Sequence, residues 1–141
     1  MFDVVVVGAD DSATARRAVE AATGMVLLSK GTLHIVTAYG PKSYNDAFLP
    51  HEFKFINHEG EVEALLQSLS FIAKKQGVEP VLHGVKGAPA DVLLKTAADV
   101  GADLIVVGNR GMKGVRRVLG SVPNSVAHGA HCSVAIIDTT E

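Results

Sequence analysis

Five short apolar runs, separated by stretches of helical periodicity, constrain this chain more than any other feature of its sequence. The runs span residues 4–7, 33–38, 81–85, 104–107 and 134–137, the third being the weakest. They are continuously apolar rather than alternating, which is typical of parallel strands covered on both faces. Strands that alternate with helices predict a doubly wound α/β fold with right-handed crossover connections.

The stretches between the runs carry helix start and stop signals. Ser12 is placed to cap the first helix, and Lys30 and Gly31 predict a basic last turn and a stop. Further helices are expected from near Asn57 to Gly77, from Pro89 to Gly101, and from Ser121 to about His128.

Composition excludes several classes of function. A chain of 141 residues with 48% hydrophobic and 20% charged residues predicts one globular domain over residues 1–141. The net charge of −2 argues against a nucleic-acid partner, and no apolar run is long enough for a membrane span. The N-terminus lacks the basic region of a signal peptide, so we expect a cytoplasmic protein. A single cysteine, Cys132, excludes an internal disulfide framework.

The segment after the fourth run is the most informative for function. Gly108, Gly111, Gly114 and Gly120 allow close backbone approach, and Gly120-Ser121 opens a helix whose first amide groups suit a phosphate. Residues 104–137 contain no Asp or Glu, but do contain four basic residues, Arg110, Lys113, Arg116 and Arg117. These features predict anion binding; the alternative is a loop whose basic residues only aid solubility. The standard P-loop and dinucleotide motifs are absent.

Asp10 and Asp11, which follow the first run, have three interpretations. They are helix N-terminal charges, ligands for a ribose hydroxyl or Mg²⁺ near phosphates, or the acidic pair of a phosphoacceptor receiver domain. The receiver needs an Asp after the third strand and a Lys after the fifth. His83-Gly84 and Asp138-Thr139 stand there instead, so the receiver interpretation fails.

The other reactive residue types give weak signals. The six histidines show no helical i, i+4 metal spacing, and His34 and His83 are expected to be packed or edge residues of strands. Cys132 is expected to be a small buried hydrophobe rather than a nucleophile. No Ser-His-Asp constellation can be argued, so no catalytic residue is assigned.

The connection from Gly40 to Ile56 is unusually long for a fold of this size. It holds four of the seven aromatic residues, Tyr44, Phe48, Phe53 and Phe55. It is either a lid or surface for a protein partner, or a surface excursion whose aromatic side chains cover the edge of the core.

Three segments together resemble the universal stress protein family over nearly the whole chain. They are 7–12 (VGADDS), 87–90 (GAPA) and 104–121. The nucleotide-binding members of that family carry Gly-x-x-Gly, nine residues, then Gly-Ser or Gly-Thr. Here Gly108-x-x-Gly111 is followed by eight residues and then by Gly120-Ser121.

The resemblance implies a five-stranded parallel sheet of order 3-2-1-4-5 and a stress-response binding module for ATP, in which Asp10 contacts the nucleoside and Ala38 lies against the adenine. The expected cofactor is ATP with or without magnesium, the ion being held through Asp10. It implies that dimers form by pairing the last strand, Ser133 to Asp138, of two subunits. The nucleotide-binding residues so implied, together with their neighbours in the motifs, are Gly8, Ala9, Asp10, Ala38, Val107, Gly108, Asn109, Arg110, Gly111, Gly120, Ser121 and Val122.

Two departures from the family pattern bear on function. The spacer between Gly111 and Gly120 is one residue short, which puts the phosphate geometry in question. Asp11 replaces a frequent glycine, and a second carboxylate near phosphates favours a bridging cation. The alternatives to ATP binding are a cyclic AMP- or AMP-binding member, a slow ATPase or autokinase, and a nucleotide-free interaction protein.

Overall fold

The computed structural model describes residues 1–10, 12–40, 59–109 and 121–139. Strands and helices alternate along these ranges, as the apolar runs predict. The elements in chain order are β1 (Val4–Gly8), α1 (Ala15–Ser29), β2 (Thr32–Tyr39), α2 (Glu59–Lys75), β3 (Val81–Lys86), α3 (Pro89–Val100), β4 (Leu104–Gly108), α4 (Ser121–Gly129) and β5 (Ser133–Ile137).

The five strands form one parallel sheet in the order β3-β2-β1-β4-β5, which confirms the expected fold class and strand order. β1 lies at the centre because its valines are buried from both sides; Val5, Val6 and Val7 are all fully inaccessible to solvent. Because successive side chains of a strand point to opposite faces of the sheet, a continuous run of valines contributes to the hydrophobic core on both faces.

Each face of the sheet is covered by two helices. Val5, Val7 and Ile35 pack in one core cluster with the apolar stripes of α1 and α2. Val6 and Ile105 pack in the other with residues of α3 and α4. Because side chains alternate between the two faces of the sheet, the core is divided into an α1–α2 layer on one face and an α3–α4 layer on the other.

The end of α1 differs from the prediction. Lys30 lies beyond the last turn, at the C-cap, and it adopts the left-handed conformation at φ 60° that was expected of a glycine. Gly31 is required for another reason: a Cβ there would lie 2.6 Å from the backbone oxygen of Asp3. The stop is therefore made by Lys30, and Gly31 lets the chain pass close to the start of β1.

Two other boundaries refine the predictions. β3 continues to Lys86, so His83 and Gly84 lie inside this strand and not at its end. α1 begins at Ala15, two residues later than a Ser12 cap requires, although the Ser12 hydroxyl does accept a hydrogen bond from the Ala15 N–H at 3.2 Å. Asn57 and the connection through Ile56 lie outside the described residues, apart from Gly40.

No helix in the described ranges combines the length and the apolar character that a membrane crossing requires.

Candidate functional site

The carboxyl ends of β1 and β4 form the central feature of the candidate site. These strands are hydrogen-bonded neighbours, yet the chain leaves β1 toward α1 on one face and reaches α4 on the other face after β4. Ligands of open α/β sheets bind in the crevice that such a switch point creates. Gly8, Ala9 and Asp10 follow from β1, and Gly108 and Asn109 follow from β4, so five of the predicted residues lie at this edge.

Asp10 is held at the edge by the first residues of the following turn. Its Oδ1 accepts hydrogen bonds from the backbone N–H of Ser12, at 2.9 Å, and from the Ser12 hydroxyl. The Ser12 Oγ also lies 3.1 Å from the Thr14 Oγ1. This is the geometry of an Asx turn, which fixes a half-buried carboxylate and two hydroxyl groups at the start of α1.

Ala9 is fixed to β2 rather than to the crevice. Its backbone N–H donates to the Val36 oxygen at 3.0 Å, and its own oxygen accepts from the buried Thr37 hydroxyl at 3.0 Å. These two bonds extend the pairing of β1 with β2 by one residue. Ala9 therefore positions Asp10 directly beyond the last pair of strand residues.

Gly8, Ala38 and Val107 belong to the face that carries α3 and α4. Ala38 and Val107 pack in the α3–α4 layer at the ends of β2 and β4, on either side of β1. A Cβ on Gly8 would lie 2.6 Å from Leu93 Cδ1 of α3. The packing of Leu93 against the backbone therefore requires a glycine at position 8, a requirement that the sequence alone did not reveal.

Asn109 has a structural position that the sequence did not predict. Its side chain is buried, with 4% exposure, and its Nδ2 donates to Asp138 Oδ1 at 3.2 Å. Its Oδ1 accepts from the backbone N–H and the hydroxyl of Thr139, at 3.0 and 3.2 Å. The side chain of Asn109 therefore holds the chain beyond β5 against the end of β4. The Thr139 backbone oxygen also accepts a hydrogen bond from Arg17 Nη1 of α1, at 3.5 Å.

The start of α4 provides the remaining described part of the predicted phosphate site. Ser121 is exposed, Val122 packs in the α3–α4 layer, and the first turn contains no acidic residue. Backbone N–H groups at such a helix start attract anions. Arg110, Gly111 and Gly120 lie outside the described residues, so their predicted roles remain predictions.

The oxygen-rich donors at this edge fit the chemistry of magnesium. A carboxylate with neighbouring hydroxyl groups is a hard oxygen set, which Mg²⁺ prefers together with phosphate oxygens and water. In the described ranges no group of three or more His, Cys, Asp or Glu could hold a metal alone. Asp10 is therefore suited to bind a magnesium ion that the phosphate groups of a ligand also coordinate.

Other predicted residues lie away from this edge. His34 and His83 pair across β2 and β3; burial and the His83 ring lower the pKa of His34, and burial lowers the pKa of His83. Burial raises the pKa of the half-buried Cys132 thiol, and Asp103 raises it further, which fits a packed residue rather than a nucleophile.

A shallow groove of about 320 Å³ opens at the opposite, amino edge of the sheet. Its lining includes Val26, Lys30 and Glu79, and none of the predicted site residues. Ligands of open α/β sheets bind at the carboxyl ends of the strands, so this groove at the amino ends is a poor candidate for the functional site.

Comparison with known proteins agrees with this geometry. The profile of the Universal stress protein family matches residues 1–138. A universal stress protein of Mycobacterium tuberculosis is 34% identical over 99% of this chain and 98% of the relative. A putative universal stress protein of Staphylococcus epidermidis is 30% identical over 97% and 84%. The crystal structure of a universal stress protein in complex with cAMP superposes with a TM-score of 0.78, at 35% identity, covering 99% of this chain and 98% of that one.

Proposed function

The chain belongs to the universal stress protein family, and from this we propose that it is a stress-response regulatory module that binds ATP. The observation that carries the proposal is the switch point between β1 and β4, where Asp10 follows one strand and Asn109 the other. A crevice of this kind suits an elongated ligand with an apolar end and an anionic end.

Each part of the nucleotide has a candidate partner at this edge. The adenine would lie against Ala38 and Val107, whose side chains border β1 on the α3–α4 face. Asp10 would accept a ribose hydroxyl or hold Mg²⁺. The phosphates would take backbone N–H groups of the glycine segment and of α4, through Gly108, Arg110, Gly111, Gly120, Ser121 and Val122.

A second candidate ligand is cyclic AMP, because a relative of 35% identity is known in complex with it. The two ligands share the adenosine group and differ in charge. The triphosphate of ATP needs several cationic or N–H partners and favours Mg²⁺, whereas a cyclic phosphodiester carries one charge. AMP falls between the two, and competition for one site decides among them.

Calorimetric titration of the purified protein with ATP, with and without Mg²⁺, followed by cyclic AMP competition, tests the proposal. The expected result is one nucleotide per chain. Tighter binding of ATP supports the main proposal, and tighter binding of cyclic AMP selects the alternative. Absence of binding by both at millimolar concentration overturns nucleotide binding and leaves the nucleotide-free interaction protein. Product analysis of the same mixtures detects slow hydrolysis or autophosphorylation.

A charge placed at the start of α4 localises the site. Ser121→Glu adds a carboxylate to the first turn, which favours the helix but repels a phosphate, so ATP affinity should fall by at least about tenfold without loss of stability. Ser125→Glu, exposed and one turn further along α4, is the matched control and should bind as the wild type does. Equal binding by the two variants would place the phosphates elsewhere.

We also propose that two copies pair through β5. This strand is at the sheet edge, bonded to β4 on one side, and Ile136 is 38% exposed. A sheet edge that no other described strand covers is suited to association with a second copy. Light scattering should show a dimer that Ile136→Lys converts to monomer. Val81→Lys, on the opposite edge strand and 43% exposed, should remain dimeric.

The remaining expectations stay predictions. A cytoplasmic location and a protein partner at the 40–56 segment rest on the sequence, and residues 41–56 lie outside the described ranges.

A further inference from the structure

Two histidines on neighbouring strands, β2 and β3, face each other on the side of β1 that lies away from β4. His34 Nδ1 and His83 Nε2 lie 2.9 Å apart, and the ring centroids are separated by 5.1 Å with the planes tilted by 31°. The strand register pairs His34 with Val81 and Val36 with His83, so the two rings meet diagonally across β2 and β3. Neither belongs to the proposed nucleotide site.

The pair lies at the open margin of the α3–α4 face. Val36 and Val85, each two residues beyond a histidine and so on the same face of the sheet, pack in the α3–α4 layer. Both imidazoles are half-buried, and Val81 beside them is 43% exposed. Water and small ions can therefore reach the rings from the side of the edge strand.

The hydrogen bond itself defines which forms of the rings are present. An N–H···N contact needs one nitrogen with a proton and one with a lone pair, so at least one ring is neutral in this arrangement. When the ring that donates is neutral, its proton can move to the nitrogen that faces away from the other histidine. The facing nitrogen then carries a lone pair. Both facing nitrogens are then acceptors, with no net loss of a proton.

We propose that His34 and His83 form a two-imidazole binding site for a first-row divalent transition metal ion such as Zn²⁺ or Cu²⁺. Imidazole is a preferred ligand of these ions. Two nitrogens bound to a tetrahedral Zn²⁺ are about 3.4 Å apart, given Zn–N bonds of about 2.0–2.1 Å. A separation of about half an ångström beyond the present 2.9 Å, by rotation of the two rings, is enough to admit the ion.

The proposed site is an exchangeable one. In the described part of the chain no third His, Cys, Asp or Glu completes a metal-binding group, so water would fill the other positions. An ion with two protein ligands binds more weakly than in a closed structural site. Bound between β2 and β3, it would join the edge strand to the body of the sheet and raise the stability of the protein.

Titration of the nucleotide-free protein with ZnCl₂, by calorimetry and thermal denaturation, tests the site. We expect one Zn²⁺ per chain and a higher melting temperature in its presence. His34→Gln and His83→Gln should each weaken binding by at least about tenfold, since one imidazole alone is a poor ligand set. His128→Gln, at the exposed end of α4, and Cys132→Ser should bind Zn²⁺ as the wild type does.

A measurement on the wild-type protein makes the test independent of how the variants fold. Ring ¹⁵N resonances of His34 and His83 should shift together as Zn²⁺ is added. Shifts confined to other histidines, loss of binding in Cys132→Ser, or unchanged binding in His83→Gln would each overturn the proposal. None of these outcomes depends on nucleotide binding.

Discussion

Asn109 closes the carboxyl edge of the sheet by holding Thr139, thirty residues further along the chain. Its Oδ1 accepts two hydrogen bonds from Thr139, and both residues are at least 96% buried. Gly108 stands beside this contact, since a Cβ there would lie 3.1 Å from the Thr139 methyl group. The residues that follow β4 and β5 therefore form one structural unit beside the proposed phosphate site.

Replacing this amide should destabilise the protein. Asn109→Ala leaves the buried N–H and hydroxyl of Thr139 without their acceptor, so the free energy of unfolding should fall by about 1–3 kcal/mol. Urea denaturation measures the change. Asn124→Ala, exposed on α4, should alter it by less than about 0.5 kcal/mol. Indistinguishable unfolding midpoints for the two variants would contradict the role assigned to Asn109.

Much of the fold could be predicted because its signals are local. The valines of β1 and the proline and glycine that bound α3 act within a few residues of themselves. The strand order, and with it the switch point between β1 and β4, came from the resemblance to the family, because alternating strands and helices leave several orders open. The end of α1 could not be predicted in detail, because Gly31 is required by the backbone of Asp3, which lies far away in sequence.

The side-chain contacts that escaped prediction depend on strand register and on residues that are distant in sequence. The Asn109–Thr139 contact needs the alignment of Gly108 with Ile137, and the His34–His83 pair needs the alignment of Val36 with His83. Neither alignment is encoded by apolar periodicity, which fixes the face of a residue but not its neighbour on the next strand. The place of Asp10 at the carboxyl edge of the sheet could be predicted, because it depends only on where β1 ends.

The packing of Gly8 against Leu93 should appear as a coupling between two substitutions. Gly8→Ala places a methyl group against a buried leucine and should cost about 1–3 kcal/mol by overpacking, while Leu93→Ala should cost about 2–5 kcal/mol. In the double variant the new methyl group meets no leucine, so the combined cost should be smaller than the sum.

Chemical denaturation of the four proteins of this cycle gives the coupling energy. Gly24→Ala is a useful control, because within the described residues no atom beyond its chain neighbours and the adjacent backbone of α1 lies within 4 Å of the new Cβ. It should stabilise the protein by about 0.5–1 kcal/mol through helix propensity. Strict additivity of Gly8→Ala and Leu93→Ala would show that Gly8 is not required by packing.

Asp103 should make stability depend on pH in the acid range. Desolvation tends to raise the pKa of its carboxyl, but hydrogen bonds from the backbone N–H groups of Asp3 and Val4, at 2.9 and 3.0 Å, lower it overall. Because the unfolded carboxyl has the higher pKa, the unfolded chain takes up the proton first as the pH falls. The stabilisation is therefore present above the ordinary value of 3.8 and is lost below it.

Urea unfolding of Asp103→Asn at neutral pH and at about pH 3 measures this contribution. The variant should be less stable than the wild type at neutral pH, and the difference should shrink as the pH falls. Asp99→Asn removes an exposed carboxylate that pairs with Lys95 and should show little difference at either pH. A constant difference for Asp103→Asn across the range would mean that its charge does not hold the start of β1.

Asp10 should couple nucleotide affinity to magnesium. Asp10→Asn keeps an oxygen that can accept the Ser12 N–H, so the turn before α1 should persist. If the carboxylate holds Mg²⁺ beside the phosphates, the variant should bind ATP about five- to tenfold more weakly with Mg²⁺ present. Without Mg²⁺ it should bind as well as the wild type or better, because a carboxylate near phosphates is repulsive.

Titrations with ATP and with adenosine separate this role from contact with the ribose. Adenosine has the ribose hydroxyls but no phosphate, so a carboxylate that serves the ribose would make Asp10→Asn weaker for both ligands, regardless of Mg²⁺. Asp99→Asn, on the exposed side of α3, controls for the loss of one negative charge. Affinity unchanged by Asp10→Asn for both ligands would remove Asp10 from the site, since its carboxylate would then serve only the turn it makes with Ser12.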